Sequence, residues 1–196
     1  QKEAVQTTDG PILIVAGAGS GKTRALTHRI AYLISRGVSP EEILAVTFTN
    51  KAAEEMKNRV KKLLDSRFYL LDHNLFIGTF HSFGLKILRN EIQHLGYKKN
   101  FAIYDEDDSL SLAKEVLKSM NLSPDQFKPA SMLNKISDAK NELIGPEEFE
   151  TKADNFYQRQ IKQFYDNYQN KLKACNALDF DDLIRLPVKI FDADEK

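Results

Sequence analysis

The sequence predicts an α/β fold, a partial parallel-sheet core joined to an all-helical subdomain, and three observations carry that prediction. Short apolar runs alternate with amphipathic helical patterns over residues 12–95. A glycine-rich turn separates the first run from the first helix. From Asp105 to about Leu172 the apolar spacing is helical, with little that reads as strand. Alternating strands and helices with connections of this length imply crossovers and a mainly parallel, doubly wound sheet, whose ligands gather at the carboxyl ends of its strands.

Ile12-Leu13-Ile14-Val15-Ala16 is a continuous apolar run, as expected of a strand buried on both faces. A helix is expected from about Lys22 to Arg36, because Leu26, Ile30, Leu33 and Ile34 recur at helical spacing; Gly37 and Pro40 stop it. Ile43–Phe48 reads as a second strand. Thr49 or Asn50 then caps a helix to about Leu64, with Ala53, Met56, Val60, Leu63 and Leu64 on one face. Leu75–Phe80 reads as a third strand and His81 to about Leu95 as its helix. Beyond Gly96 three apolar stripes follow: Leu110, Ala113, Val116 and Leu117; Met132, Leu133, Ile136 and Ala139; and an aromatic-rich set, Phe156, Ile161, Phe164, Tyr165, Tyr168 and Leu172. Pro124, Pro129 and Pro146 mark the breaks. The expected division is 1–95 core, 96–175 helical insertion and 176–196 return towards the core.

Composition narrows the possibilities. The chain is 42% hydrophobic and 29% charged, the balance of a globular protein, and no run is apolar enough to span a membrane. Cys175 stands alone, which excludes an internal disulfide framework and fits a reducing, cytoplasmic setting. With 28 basic and 28 acidic residues, the chain is no globally basic nucleic-acid binder; such affinity has to come from local patches.

The residues Ala16-Gly17-Ala18-Gly19-Ser20-Gly21-Lys22-Thr23 form a Walker A phosphate loop in its Ala-first variant. Glycines at 17, 19 and 21 let the backbone turn so that successive N–H groups face phosphate oxygens. The helix that starts near Lys22 turns its free N–H groups and positive end on the same anion. The Lys22 ammonium reaches the β- and γ-phosphates, and the Thr23 hydroxyl ligates Mg²⁺, so ATP with Mg²⁺ is the expected ligand. A glycine-rich turn that binds nothing is the plain alternative; the strand before, the helix after and the complete Gly-Lys-Thr ending oppose it.

Further motifs follow in order: Gln1-Lys2-Glu3-Ala4-Val5 before the loop, Thr47-Phe48-Thr49-Asn50-Lys51-Ala52-Ala53-Glu54-Glu55-Met56, Gly78-Thr79-Phe80-His81-Ser82, and Leu178-Asp179-Phe180-Asp181-Asp182-Leu183-Ile184. Together with the loop they resemble superfamily 1 DNA helicases of the UvrD/Rep/PcrA family, over essentially the whole chain. Lys171 to Asn176, running into Leu178–Asp182, leans towards the Rep branch. The resemblance implies a RecA-like P-loop core, a helical inserted subdomain beside the track, and 3′→5′ movement on DNA as ATP closes and hydrolysis reopens a cleft between two motor domains. It implies Gln1 as the adenine-reading amide, Arg24 near the nucleotide, Phe48, Thr49, Asn50 and Lys51 as the first single-strand contacts, and Thr79, Phe80 and His81 as the second. Ile136–Leu143 resembles a stretch that lies near the duplex in relatives. Single-stranded DNA, an ss/ds junction and the remaining motor domains are the implied partners, with oligomeric state left open.

The residues suit those roles. A base stacks on an aromatic face without regard to sequence, and hydroxyl, amide and N–H groups grip phosphate without reading bases. Core packing is the other reading of strand-end aromatics; beside its motif Phe48 is expected to meet DNA, while for Phe80 both readings stand. His81 is expected at a phosphate, with helix capping as the alternative. The Phe/Tyr stripe is expected to be core, and Asp179, Asp181 and Asp182 a helix start rather than a metal cluster. Phe101-Ala102-Ile103-Tyr104-Asp105-Glu106 mimics the acidic motif of an ATPase, but its acids continue into a helix as a cap would; the true motif is expected beyond Lys196. The chain, cut at both ends by this reading, is then expected to bind nucleotide weakly and turn over little. A small-molecule kinase would explain residues 11–36 but not the later motifs. A non-catalytic DNA-binding module would not need an intact Gly21-Lys22-Thr23.

Overall fold

The computed structural model describes residues 1–17, 19–64, 75–149 and 156–194. It forms two compact units, Gln1–Phe83 and Gly84–Lys196.

The first unit runs α1 (Lys2–Gln6), α2 (Lys22–Ser35), a 3₁₀ turn (Pro40–Glu42), β1 (Leu44–Thr47), α3 (Asn50–Leu64), β2 (Phe76–Thr79) and the start of α4 (Phe80–Glu91). α2 and α3 begin and end within a residue or two of where the signals placed them; α1 was not expected, and Phe80, expected in the strand, opens α4, which gives way to a 3₁₀ turn after Glu91. Thr49 caps α3, its Oγ1 accepting from Ala52 N at 3.2 Å. A capping box on Ser39 and Glu42 opens the 3₁₀ turn. β1 and β2 pair in parallel, Leu44 opposite Phe76 and Thr47 opposite Thr79. Ile30 of α2, Met56 and Val60 of α3, and Ile43 and Leu75 beside the strands form the core. Gly78 is needed at the end of β2, because a Cβ there would fall 2.6 Å from Ser82 Oγ and 2.8 Å from the Phe76 ring.

The expected first strand does not form. Residues 12–16 carry no ladder, and Leu13 and Val15 are 87% and 86% exposed. A strand exists through bonds to its neighbours, and a buried parallel strand needs one on each side. Among the described residues none pairs with this run, so it stays apolar and in water. The sheet is correspondingly smaller than expected: one two-stranded parallel pair in each unit. The architecture is thus mixed helix and strand with small parallel sheets.

The second unit contains the rest of α4, a 3₁₀ turn (Ile92–Leu95), β3 (Ala102–Ile103), α5 (Glu106–Ser119), α6 (Pro129–Asn141), α7 (Phe156–Ala174), β4 (Ala177–Leu178) and α8 (Asp182–Asp194). Its helical core gathers Val116, Leu117, Met132, Ile136, Phe164, Tyr165, Tyr168 and Leu172, all 2% exposed or less, so the aromatic stripe is interior as expected. Phe156 at the start of α7 is 58% exposed and does not share it. A second cluster packs Leu88, Ile92, Phe101, Leu178, Leu183 and Leu186. Asp105 caps α5, accepting from Asp108 N at 2.8 Å within a capping box, which is the role its acidic run suggested.

α8 contains Pro187, which leaves the Leu183 carbonyl without its helical donor. That carbonyl faces Gly84, where a Cβ would fall only 1.9 Å away. A residue without a side chain is therefore required where α4 meets this turn.

Candidate nucleotide and nucleic-acid site

The loop between residues 16 and 23 is held by its own polar groups; Ala18 lies outside the described residues. Gly19 and Gly21 have φ of 76° and 89°, values that favour glycine. The Lys22 ammonium donates to the Ala16 and Gly17 carbonyls at 2.6 and 2.7 Å, and Ser20 Oγ donates to Gly17 O at 2.6 Å. Lys22 therefore already lies over the loop, within which a phosphate oxygen would compete for it. Gly21 occupies the N-cap of α2 and supplies no side-chain cap, so the first-turn amides stay available to an anion. Thr23, at the second position of α2, is half-buried beside them.

Gln1 sits on this loop. Its Nε2 donates to Ser20 O at 2.8 Å, and a Cβ at Gly21 would come within 2.8 Å of that nitrogen. α1 is anchored by Arg29, whose guanidinium donates to the Ala4 carbonyl at 2.9 Å and to that of Thr7. A cleft of about 280 Å³ opens between α1 and α2, lined by Gln1, Arg24, His28 and Tyr32 among others. Gln1 and Arg24 were expected near a nucleotide. His28 and Tyr32 were missed, although their i, i+4 and i, i+8 spacing from Arg24 puts them on one helix face.

The parallel register of β1 on β2 brings the other two motifs together. Thr47 pairs with Thr79, so the next residues, Phe48 and Phe80, leave the sheet side by side, with ring centroids 5.8 Å apart at 47°. Phe48 is 92% exposed and Phe80 46%, so neither fills a core. Thr49, Asn50 and Lys51 are exposed around the start of α3. Half-buried His81 lies in the first turn of α4. Thr79 differs from these: it is 7% exposed, and its Oγ1 accepts from Ser82 N at 3.2 Å. Its hydroxyl is spent on capping α4, so its place in the motif is to fix the turn that presents Phe80.

Two further expectations meet the second unit. Asp179 and Asp182 do start a helix, Asp179 Oδ1 accepting from Asp182 N at 3.0 Å. Among the described residues no group of three or more His, Cys, Asp or Glu side chains is placed to hold a metal. Within the stretch 136–143, likened above to one that lies near the duplex in relatives, Lys140 turns inward. Its ammonium is fully buried, 2.6 Å from Asp179 Oδ2 and 3.1 Å from Asp182 Oδ1, with Arg185 3.5 Å from the same Asp182 oxygen. Burial opposes the charge on Lys140, but the Asp182 and Asp179 carboxylates outweigh it and hold its pKa above the ordinary lysine value. Asp179 is pushed up by burial and by the neighbouring Asp182 charge. The missed signal was positional: Met132, Ile136 and Lys140 follow at i, i+4 and i+8 on the buried face of α6.

The family description UvrD/REP helicase N-terminal domain matches residues 1–196. The ATP-dependent DNA helicase PcrA of Bacillus subtilis (strain 168) is 52% identical over 193 residues, covering 98% of this chain and 26% of that protein. Proteins of the same name from Staphylococcus epidermidis and Staphylococcus aureus (strain Mu50 / ATCC 700699) are 47% and 46% identical over the same coverage. The chain thus spans about a quarter of the length of these relatives, and they do not single out Rep within the family. A match that runs the whole length of the chain, through loop and strand-end motifs alike, leaves one conclusion: the chain belongs to the UvrD/REP helicase N-terminal domain family.

Proposed function

We propose that this chain is the ATP-binding front part of a 3′→5′ DNA helicase, with residues 1–95 as part of a RecA-like P-loop core, 96–175 as an inserted helical subdomain and 176–196 returning to the core. It works with the remaining motor domains, in the cytoplasm, on single-stranded DNA next to a duplex. The observation that carries the reading is the pair of exposed rings at adjacent strand ends, Phe48 and Phe80, in the same unit as a glycine loop built for phosphate.

The loop residues fit ATP with Mg²⁺. Positive φ at Gly19 and Gly21 aims the backbone, and the uncapped start of α2 offers N–H groups to phosphate. Thr23 is the loop residue that would hold Mg²⁺, which would supply positive charge against the phosphates. Lys22 exchanges its two carbonyl acceptors for phosphate oxygens and stabilises charge on the transferring group. Gln1 and Arg24 flank the base. At the strand ends Phe48 and Phe80 stack bases, while Asn50, Lys51, His81 and the backbone at Thr49 hold phosphates. Such contacts grip any sequence, as a translocating protein requires.

The test is DNA-stimulated ATP hydrolysis by the whole natural protein and its Lys22→Ala variant. The proposal expects stimulation by single-stranded DNA and its loss in the variant; stimulation that survives Lys22→Ala would refute it.

A further inference from the structure

A larger cleft, about 600 Å³, lies in the second unit, between the N-terminal part of α5, α6 and the β4–α8 junction. Its volume is in the range of sites that enclose a side-chain cluster or a small ligand. Four carboxylates line it, Asp105, Glu106, Asp179 and Asp181, and among the described residues no basic side chain does. Lys140 neutralises only Asp179, from behind the wall. The other three leave the cleft strongly negative. Its floor is apolar, supplied by Leu110, Leu133 and Ile136.

A second observation points to an occupant. Tyr168 lines the cleft and is fully buried, and its hydroxyl has no hydrogen-bond partner. That hydroxyl lies near Ser109 and Asp179, both of which also line the cleft, without meeting either in bonding geometry. A buried hydroxyl without a partner costs stability unless something supplies one. Beside acceptor-rich carboxylates, the complementary group is a donor, to which the phenolic oxygen can serve as one more acceptor.

We propose that this cleft docks a cationic, amphipathic peptide segment of a partner protein. An arginine of that segment sets its guanidinium against Asp181 and Glu106, where charge-assisted bonds form, and reaches towards the Tyr168 hydroxyl. Its methylene stem and an apolar neighbour lie on Leu110 and Leu133. The apolar floor separates this occupant from a free polyamine, which brings charge but no hydrophobic face. The inference uses no residue of the phosphate loop and none of the expected DNA contacts at 48–51 and 79–81, although Asp179 and Asp181 belong to the Leu178–Ile184 motif.

The experiment uses the whole natural protein and a labelled helical peptide with Arg and Leu at i, i+4 spacing, followed by fluorescence anisotropy. Saturable binding is expected. Glu106→Gln with Asp181→Asn should weaken it about tenfold or more, as loss of two charge-assisted contacts implies. Both side chains are at least partly exposed, and circular dichroism will show that the fold is retained. Glu54→Gln with Glu55→Gln removes the same charge from the exposed face of α3 and should change affinity less than about twofold. Leu133→Asn, which keeps every charge, should also weaken binding. Absence of saturable binding, an equal loss in the α3 variant, or full displacement by spermidine with no effect of Leu133→Asn would each overturn the proposal.

Discussion

Replacing Lys140 with Met removes one charge and keeps most of the side-chain volume, which makes it a clean probe of the buried ion cluster. Lys140 is fully buried between Asp179, 10% exposed, and Asp182, fully buried. In the variant two carboxylates are left in the interior with only Arg185, at 3.5 Å from Asp182, as a cation. Breaking a buried pair from one side costs about 3–5 kcal/mol. With a urea m value of about 2 kcal/mol/M, the unfolding midpoint should fall by roughly 2 M. The direction with pH follows as well. Without the ammonium, which now opposes the effect of burial, the Asp179 carboxyl holds its proton still more tightly in the folded chain than in the unfolded one. The variant's stability should then fall as pH rises above about 4, making it more stable at pH 5 than at pH 7. Adding Asp179→Asn to Lys140→Met should recover much of the loss, because Asp182 then keeps Arg185 as its counter-charge and no uncompensated carboxylate remains. The assay is urea unfolding followed by circular dichroism at both pH values. A loss below about 1 kcal/mol, the range of surface pairs, or a variant that gains stability on going to pH 7, would refute the reasoning.

Three other substitutions test separate parts of the structure. Gly84→Ala would place a methyl 1.9 Å from the Leu183 carbonyl and should lower stability by about 1–3 kcal/mol or more, read as a melting temperature several degrees lower. Asp105→Ala removes the cap on Asp108 N and should cost about 0.5–2 kcal/mol in the same measurement, while Glu106→Ala, which caps nothing, should not. Phe48→Ala should weaken single-stranded DNA binding by about 1–3 kcal/mol with unchanged thermal stability, because the ring is 92% exposed; a fall in melting temperature instead would show that the ring is packed.

The helices were the most legible part of the sequence, because periodicity and caps act locally. α2 and α3 end within a residue or two of where Gly37 and the last apolar position put them. β1 and β2 were legible as apolar runs bounded by turn residues. Residues 12–16 were not, since an apolar run becomes a strand only when neighbours complete its ladder, and sequence reports the run but not the neighbours. Lys140 drew no reading of its own for a related reason: its place in the Met132, Ile136 row puts it on the interior face, but the sequence does not show the carboxylates that meet it there. In the candidate site, the turn of the glycine loop was legible, and Gly19 and Gly21 take the positive φ that glycine favours. Phe48 was expected outside the core and Phe80 was left between the two readings; the register of β1 on β2 sets both rings together in solvent. Thr79 shows the reverse, a motif residue whose hydroxyl the fold uses for its own cap.

The central claim is that backbone amides and the Lys22 ammonium grip a triphosphate at the start of α2. The most direct measurement is a crystal structure of the protein with a non-hydrolysable ATP analogue and Mg²⁺. The account predicts phosphate oxygens within hydrogen-bond reach of the amides at 19–23, with Lys22 Nζ moved off the Ala16 and Gly17 carbonyls and Thr23 at the metal. Phosphates bound elsewhere, with Lys22 still on those two carbonyls, would contradict it.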